Sequence, residues 1–466
     1  MKQEVQLLPP LVGEGVQVPV FGGGSRRYVN LDNAATTPPF SRVWELLAEV
    51  MPYYGSVHRG SGFKSFLSTT LFEESSRTIL EFAGGDPDRD TIVFGVNTTA
   101  CINHLARRLE LGPDSVVVTS EAEHSSNLLP WRKLCRVVQC PSSPQGEIDL
   151  DALTRILKES SVTLLAVTAA SNVTGRIFPV GTAARLAHRF GAKVFVDASQ
   201  LAGHRKINRG SCESEEHLDF VAFCAHKMYA PFGVGVLIGP AAAFASGWPD
   251  QPGGGNVRLI AGEMNVWAPL PDREQGGTPN FPGVIALAEA CRILESFGFD
   301  RIAAHEAALL AHVRERSEAI ETLRIYRDLS EERDSISIVP FNVPNYHHAL
   351  VGAYLGFERA IGVRTGLFCQ YSLVRDLLGI SESYRAATIA AAESGDFRSL
   401  YGLVRASCGI GTTIEDVDCL FDSLIVLLSD GPSANYAIDL NGQFRIDGWE
   451  PELSSFQYSI DRSAGQ

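Results

Sequence analysis

Short apolar runs alternate with amphipathic stretches through the first two-thirds of the chain. Thr91–Phe94, Ser115–Val118, Leu164–Val167 and Lys193–Val196 are brief, rich in β-branched residues and lack a regular polar alternation. Such runs suit strands buried on both faces, as in a parallel sheet. Between them, Val43, Leu46, Leu47 and Val50 recur at the spacing of one helix face, as do Ala183, Leu186, Ala187 and Phe190. Gly191 then predicts a C-terminal cap. The rhythm predicts an open α/β sheet with its ligand at the carboxyl ends of the strands. From about Pro282 the pattern changes. Long amphipathic helices over Val284–Phe297 and Ile302–Ile320 lead to short strands near Arg324, over Ser335–Val339 and over Gly402–Ala406, then to a helix over Glu415–Leu428. The predicted organisation is an N-terminal arm (1–27), a large, mainly parallel α/β domain (28–285), a smaller α+β domain (286–430) and a surface tail of little periodicity (431–466).

Composition narrows the class. At 466 residues, 45% hydrophobic and 20% charged, the chain is an ordinary globular protein with room for two domains. A net charge of -14 without any Lys/Arg cluster weighs against nucleic acid and anionic membrane as partners. Met1–Val20 carries Pro, Gly and Glu where a signal peptide needs an unbroken apolar run, and Pro240 interrupts the most apolar later stretch. Neither export nor a membrane span is expected. Nine scattered cysteines with no C-x-x-C pair predict reduced thiols in a cytoplasmic setting, without a disulfide framework or a metal site.

The candidate chemistry centres on Phe223-Cys224-Ala225-His226-Lys227 and, upstream, Phe195-Val196-Asp197-Ala198-Ser199-Gln200. Alone, Lys227 reads as a lysine snorkelling from a strand end. Apolar segments on both sides instead predict burial and a depressed pKa, which an amine forming a Schiff base requires. Asp197 closes an apolar strand, where a desolvated carboxylate needs a cationic or hydrogen-bonding partner. A buried lysine and such an aspartate are the parts that hold pyridoxal phosphate, the aspartate keeping the pyridine nitrogen protonated. Thr98 and Thr99, between a strand and a helix start, predict a phosphate cradle. His124, following another strand, is placed to stack on a ring.

At this point the residues resemble a family, the class V (fold type I) pyridoxal-phosphate enzymes, and within it the cysteine desulfurase and selenocysteine lyase branch. The matching segments include Leu31-Asp32-Asn33-Ala34-Ala35-Thr36-Thr37, Val57-His58-Arg59-Gly60, Asn97-Thr98-Thr99, Glu123-His124 and Ser171-Asn172-Val173-Thr174-Gly175. Asp197-Ala198-Ser199-Gln200, His226-Lys227, Gly277-Thr278-Pro279-Asn280 and Arg405-Ala406-Ser407 follow in family order, over roughly residues 28–430. The resemblance implies Lys227 as Schiff-base lysine, Asp197 as pyridinium partner, Gln200 at the phenolic oxygen with Asn172 nearby, and His124 on the ring. It implies Thr98, Thr99 and His226 at the phosphate, joined by Thr278 from the other subunit of a homodimer with shared active sites. Arg405 would clamp an amino-acid carboxylate, and His58 and Arg59, with the Gly253–Asn256 loop, would line the substrate pocket. Relatives often carry Ser where this chain has Cys224, which implies a weaker phosphate contact.

Cys369 lies in Gly362-Val363-Arg364-Thr365-Gly366-Leu367-Phe368-Cys369-Gln370, which resembles the desulfurase segment preceding the nucleophilic cysteine. The implied reaction takes sulfur from L-cysteine onto Cys369 and releases alanine, with Arg364 or the cofactor site favouring the thiolate. A sulfur-acceptor protein would then be a partner. The chain departs from the pattern after the cysteine, where Gln370 and Tyr371 replace a small residue and proline. The interval to Arg405 is also long, and the Leu373–Leu378 and Ser381–Asp396 stretches predict helices there. Three readings stay open: a desulfurase, a class V aminotransferase, epimerase or lyase acting on another amino acid with Cys369 incidental, and a cofactor-fold protein kept for partner binding.

Overall fold

The computed structural model describes residues 8–451 apart from 59, 144 and 331–334. A seven-stranded sheet forms its centre. In chain order the strands are β1 Asp90–Gly95, β2 Val116–Ser120, β3 Arg136–Cys140, β4 Leu164–Thr168, β5 Lys193–Asp197, β6 Phe220–Cys224 and β7 Gly235–Pro240. In space they run β1-β7-β6-β5-β4-β2-β3, with β7 antiparallel to both neighbours and every other pair parallel. The chain is thus an α/β protein with a mainly parallel sheet, as its pattern predicts.

Both faces of the sheet are buried, and the strands show it residue by residue. β5 sends Val194 and Val196 into one core and Phe195 into the other; β6 sends Val221 and Phe223 one way, Phe220 and Ala222 the other. The period of two is present but hidden, because both sets are apolar. The Thr98–Arg108 helix covers one face with Cys101, Ile102 and Leu105. The Phe281–Phe297 and Phe63–Phe82 helices cover the other, the first with Val284, Leu287 and Leu294, the second with Phe72 and Ile79.

The predicted helix around Ala183 runs Val180–Arg189, and Gly191 follows it at φ +77, a conformation only glycine adopts without cost. The helices after Pro282 are Phe281–Phe297, Phe299–Glu318 and Ile414–Asp430. A second sheet is antiparallel throughout, in the order Arg324–Ile325, Ile338–Asn342, Leu403–Ser407, Arg364–Gly366. Its core includes Val339, Phe341, Val404 and Leu424, joined by Val29 and Leu31 from near the N-terminus. Among the described tail residues, Tyr436–Ile438 and Phe444–Ile446 form a hairpin that patterning did not suggest. It is pinned by the Tyr436 hydroxyl on Glu358 at 3.0 Å and by Phe444 against His347. No helix among the described residues is long and apolar enough to cross a membrane.

Candidate active site

Because β1 and β6 are each antiparallel to β7, all strands except β7 end on the same side of the sheet. The turns that follow them converge on a cavity of ≈ 300 Å³. A single 3₁₀ turn, Ala225–Lys227, after β6 brings Lys227 into it, where Nζ donates to Gln200 Oε1 at 3.3 Å. Desolvation holds the Lys227 ammonium below the ordinary lysine range. Asp197, the last residue of β5, is buried beside it, and its Oδ1 accepts from the Ser199 amide at 3.0 Å. Gln200 is buried in the same turn.

After β1, the Asn97 side chain caps the Thr98–Arg108 helix by accepting from the Ala100 amide, which presents Thr98 and Thr99 in the first turn. Thr98 Oγ1 accepts from Ser199 Oγ at 2.8 Å, and Thr99 Oγ1 lies 2.7 Å from Ser126 Oγ. His124 accepts the Ser126 amide on Nδ1 at 3.1 Å, and burial pushes its pKa down, so a neutral ring bearing its proton on Nε2 lines the cavity. Burial, then the Lys227 charge, pushes His226 down to about 4. Burial raises the Cys224 thiol, which also lines the wall.

The second sheet supplies the opposite wall. Its register sets Arg364 directly across from Arg405. Asp32 joins them, with Oδ1 3.3 Å from Arg405 Nη2 and Oδ2 3.2 Å from Arg364 Nε. Arg405 also donates to the Asn172 carbonyl at 2.9 Å and lies 4.8 Å over the Phe368 ring. Its burial pushes it down to about 10. Cys369 is exposed, on the same cavity as Arg364, Arg405 and Lys227. Phe368 and Cys369 both adopt left-handed backbone, φ 52 and φ 56, and their carbonyls accept from Asn172 Nδ2 and the Ser125 amide, each at 2.9 Å.

Not every residue named from the sequence reaches this cavity. His58 and Thr278 line a separate one of ≈ 410 Å³ with Gly255 and Asp272, and Thr278 is exposed. Within one chain the Gly253–Asn256 loop closes on itself instead, the Asn256 side chain bonding the Gly253 amide and the Gln251 carbonyl. Arg59 lies outside the described residues. Conversely, Asp32, Ser126 and Ser199 have contacts in or around the site that sequence reasoning did not assign. Glu123 is another. It is buried, accepts from Ser120 Oγ, Asn127 Nδ2 and the Thr168 amide at 2.6, 2.7 and 3.0 Å, and desolvation pushes it up to about 7. Its place beside His124 in sequence was the one available signal.

With this geometry in place, the comparisons identify the class. The model of the class-V aminotransferase family (Aminotransferase class-V) matches residues 29–420, and the chain belongs to that family. Within it, similar proteins include cysteine desulfurases. A probable cysteine desulfurase of Halobacterium salinarum is 32% identical over 78% of this chain and 88% of its own length. A cysteine desulfurase of Escherichia coli is 31% identical over 84% of this chain and 92% of its own. Among solved structures, the apo cysteine desulfurase of Thermococcus onnurineus superposes with a TM-score of 0.76 at 30% identity, covering 86% of this chain and 94% of that one.

Proposed function

We propose that this chain is a pyridoxal-phosphate-dependent cysteine desulfurase that moves sulfur from L-cysteine onto Cys369 and releases alanine. The observation that carries the reading is Cys369 held on the same cavity as a desolvated lysine and a buried arginine. The residues fit the cofactor. Asn172 Oδ1 and Arg405 Nε are buried on the cavity's walls without a hydrogen-bond partner, so a polar ligand there has groups to satisfy. Lys227 would carry the cofactor through its amine and Asp197 would face the ring nitrogen. His124 would lie against the ring, with Gln200 and Asn172 at its edge. Thr98, Thr99 and His226 would hold the phosphate, with Thr278 of a second subunit. When bound, pyridoxal phosphate supplies an electron sink for negative charge on the substrate's α-carbon.

The remaining work belongs to the chain. Arg405 binds the substrate carboxylate with its planar fork, and Arg364 adds a second positive charge. Lys227 Nζ, kept below its ordinary pKa by desolvation, would take the α-proton of the substrate. The Cys369 thiolate attacks the substrate sulfur. An S–S bond forms, the carbon–sulfur bond breaks with its electron pair left on carbon, and that carbon takes up a proton as alanine forms. The exposed Thr278 and the exposed apolar Leu259, Ile260 and Met264 support a homodimer with shared sites, and the exposed Cys369 supports delivery to an acceptor protein in the cytoplasm.

Alanine release from L-cysteine under a thiol reductant tests the reading. Wild type is expected to form alanine and sulfide, Cys369→Ser neither, with the cofactor absorbance of both intact. Equal alanine formation by Cys369→Ser would leave Cys369 a bystander and move the substrate to another amino acid.

A further inference from the structure

His188, His217 and Asp219 meet at the end of the sheet opposite Lys227. His188 is in the last turn of the Val180–Arg189 helix, His217 in the loop before β6, and Asp219 immediately ahead of β6. β6 carries Cys224 at its other end, so roughly 17 Å of strand separates the cluster from the active-site turn. All three side chains are mostly shielded, 18%, 17% and 16% exposed.

The proton accounting of this cluster points to a cation. His188 Nδ1 lies 2.8 Å from the Glu215 carbonyl and His217 Nδ1 2.6 Å from the Ser214 carbonyl. A carbonyl only accepts, so both Nδ1 atoms carry hydrogen. In the neutral rings both Nε2 atoms then present lone pairs, and both face the same carboxylate. His188 Nε2 is 2.9 Å from Asp219 Oδ2, and His217 Nε2 is 3.7 Å from Asp219 Oδ1. Asp219 Oδ2 is fixed by the Val194 amide at 2.8 Å. The two rings stack with centroids 4.2 Å apart at 16°, which brings both Nε2 atoms to the same carboxylate. A shared cation satisfies all three acceptors at once.

We infer that His188 Nε2, His217 Nε2 and the Asp219 carboxylate form a site for a divalent transition metal of the zinc type. Ligand atoms around tetrahedral zinc sit about 3.3 Å apart, from bond lengths near 2.0–2.1 Å. The two observed separations straddle that value, and all the ligand atoms lie within 4.8 Å of one another. Histidine ligands typically donate their other nitrogen to a carbonyl or carboxylate, which both rings already do. The nearby cations Arg185 and Arg189 are paired with Glu216 and Glu215, and Arg209, which reaches the Asp219 carbonyl at 3.2 Å, is paired with Asp90. Such an ion would tie the helix, the loop and β6 together, a structural role distinct from the chemistry at Lys227. The cysteine pattern gave no sign of it, because no cysteine takes part.

Metal-stripped full-length protein titrated with Co²⁺, followed as a visible d–d difference spectrum, tests the site alongside the thermal unfolding midpoint with and without Zn²⁺. Wild type is expected to bind Co²⁺, to lose it to Zn²⁺, and to unfold at higher temperature with Zn²⁺. His188→Gln and His217→Gln should each weaken Co²⁺ binding by about tenfold or more and lose the Zn²⁺ effect on the midpoint. Affinity unchanged in both variants would assign the metal to thiols elsewhere and overturn the site. A wild-type midpoint indifferent to Zn²⁺ would overturn it too, leaving a proton on His188 as the bridge to Asp219.

Discussion

Arg405 is held at more points than a single cation needs. It donates to the Asn172 carbonyl and to Asp32, and its guanidinium faces the Phe368 ring. Asp32 already gives Arg405 a carboxylate partner, and it pairs with Arg364 as well. A lysine cannot meet these demands together, since it offers a point charge rather than a planar fork. Arg405→Lys is therefore expected to lower kcat/KM for L-cysteine on the order of 10- to 100-fold, the worth of one or two charged hydrogen bonds. The loss should fall mainly on KM, measured by steady-state alanine release. A change confined to kcat would contradict a carboxylate-binding role. The residues proposed to hold the cofactor are legible in sequence because each sits beside its own strand end, as Asp197 and Lys227 do. The Asp32 pairing is not, because it depends on a register that joins residues 364 and 405 across a long insertion.

The segment around Cys369 shows how an element positions the proposed nucleophile. Two consecutive non-glycine residues in left-handed backbone cost on the order of 1 kcal/mol each, so the turn persists only if its surroundings hold it. Asn172 and Ser125 bind its carbonyls, the Gln370 amide donates to the Leu367 carbonyl at 2.8 Å, and the Gln370 side chain donates to the Ala122 carbonyl. The Tyr371–Leu378 helix then starts at once and sinks Leu373 and Val374 into the main core. Directly after Cys369 the chain thus sets a buried polar clamp and a helix. Gln370→Ala is expected to release the turn. Iodoacetamide should label Cys369 faster, and alanine release should fall about tenfold, equivalent to one lost hydrogen bond, with cofactor absorbance unchanged. Labelling at the wild-type rate would show that Gln370 does not restrain the turn. Patterning anticipated this helix and the Glu382–Glu393 helix after it, but not the Phe63–Phe82 helix. Ser65, Ser68, Ser75 and Ser76 occupy buried positions there, so its core face does not read as apolar.

At the scale of the molecule, one buried carboxylate ties the active-site turn to the second sheet. Glu306, on the Phe299–Glu318 helix, accepts from His204 Nδ1 at 2.5 Å and from Arg205, and lies 3.4 Å from Ser337 Oγ. Arg205 also reaches the Ser335 carbonyl at 2.8 Å. His204 and Arg205 follow the Asp197–Gln200 turn after three intervening residues, so the network ties the cavity floor to the wall bearing Arg405. Burial alone would raise the Glu306 pKa, but His204 and Arg205 together outweigh it and hold the carboxyl below its ordinary range. A carboxylate with a depressed folded-state pKa contributes stability that is fully present above its unfolded value, near 4.3, and is lost as pH falls through the folded value. Glu306→Ala should cost about 3–5 kcal/mol at neutral pH, because Arg205 loses its buried counter-charge and His204 loses its hydrogen-bond partner. Urea unfolding of wild type and Glu306→Ala, compared at neutral pH and at steps below about pH 4, measures the difference. The gap between their midpoints is expected to close on acidification, as wild type loses the same charge the variant lacks. A gap that stays constant down to about pH 2 would mean that packing around the side chain, rather than its charge, holds the two sheets in register.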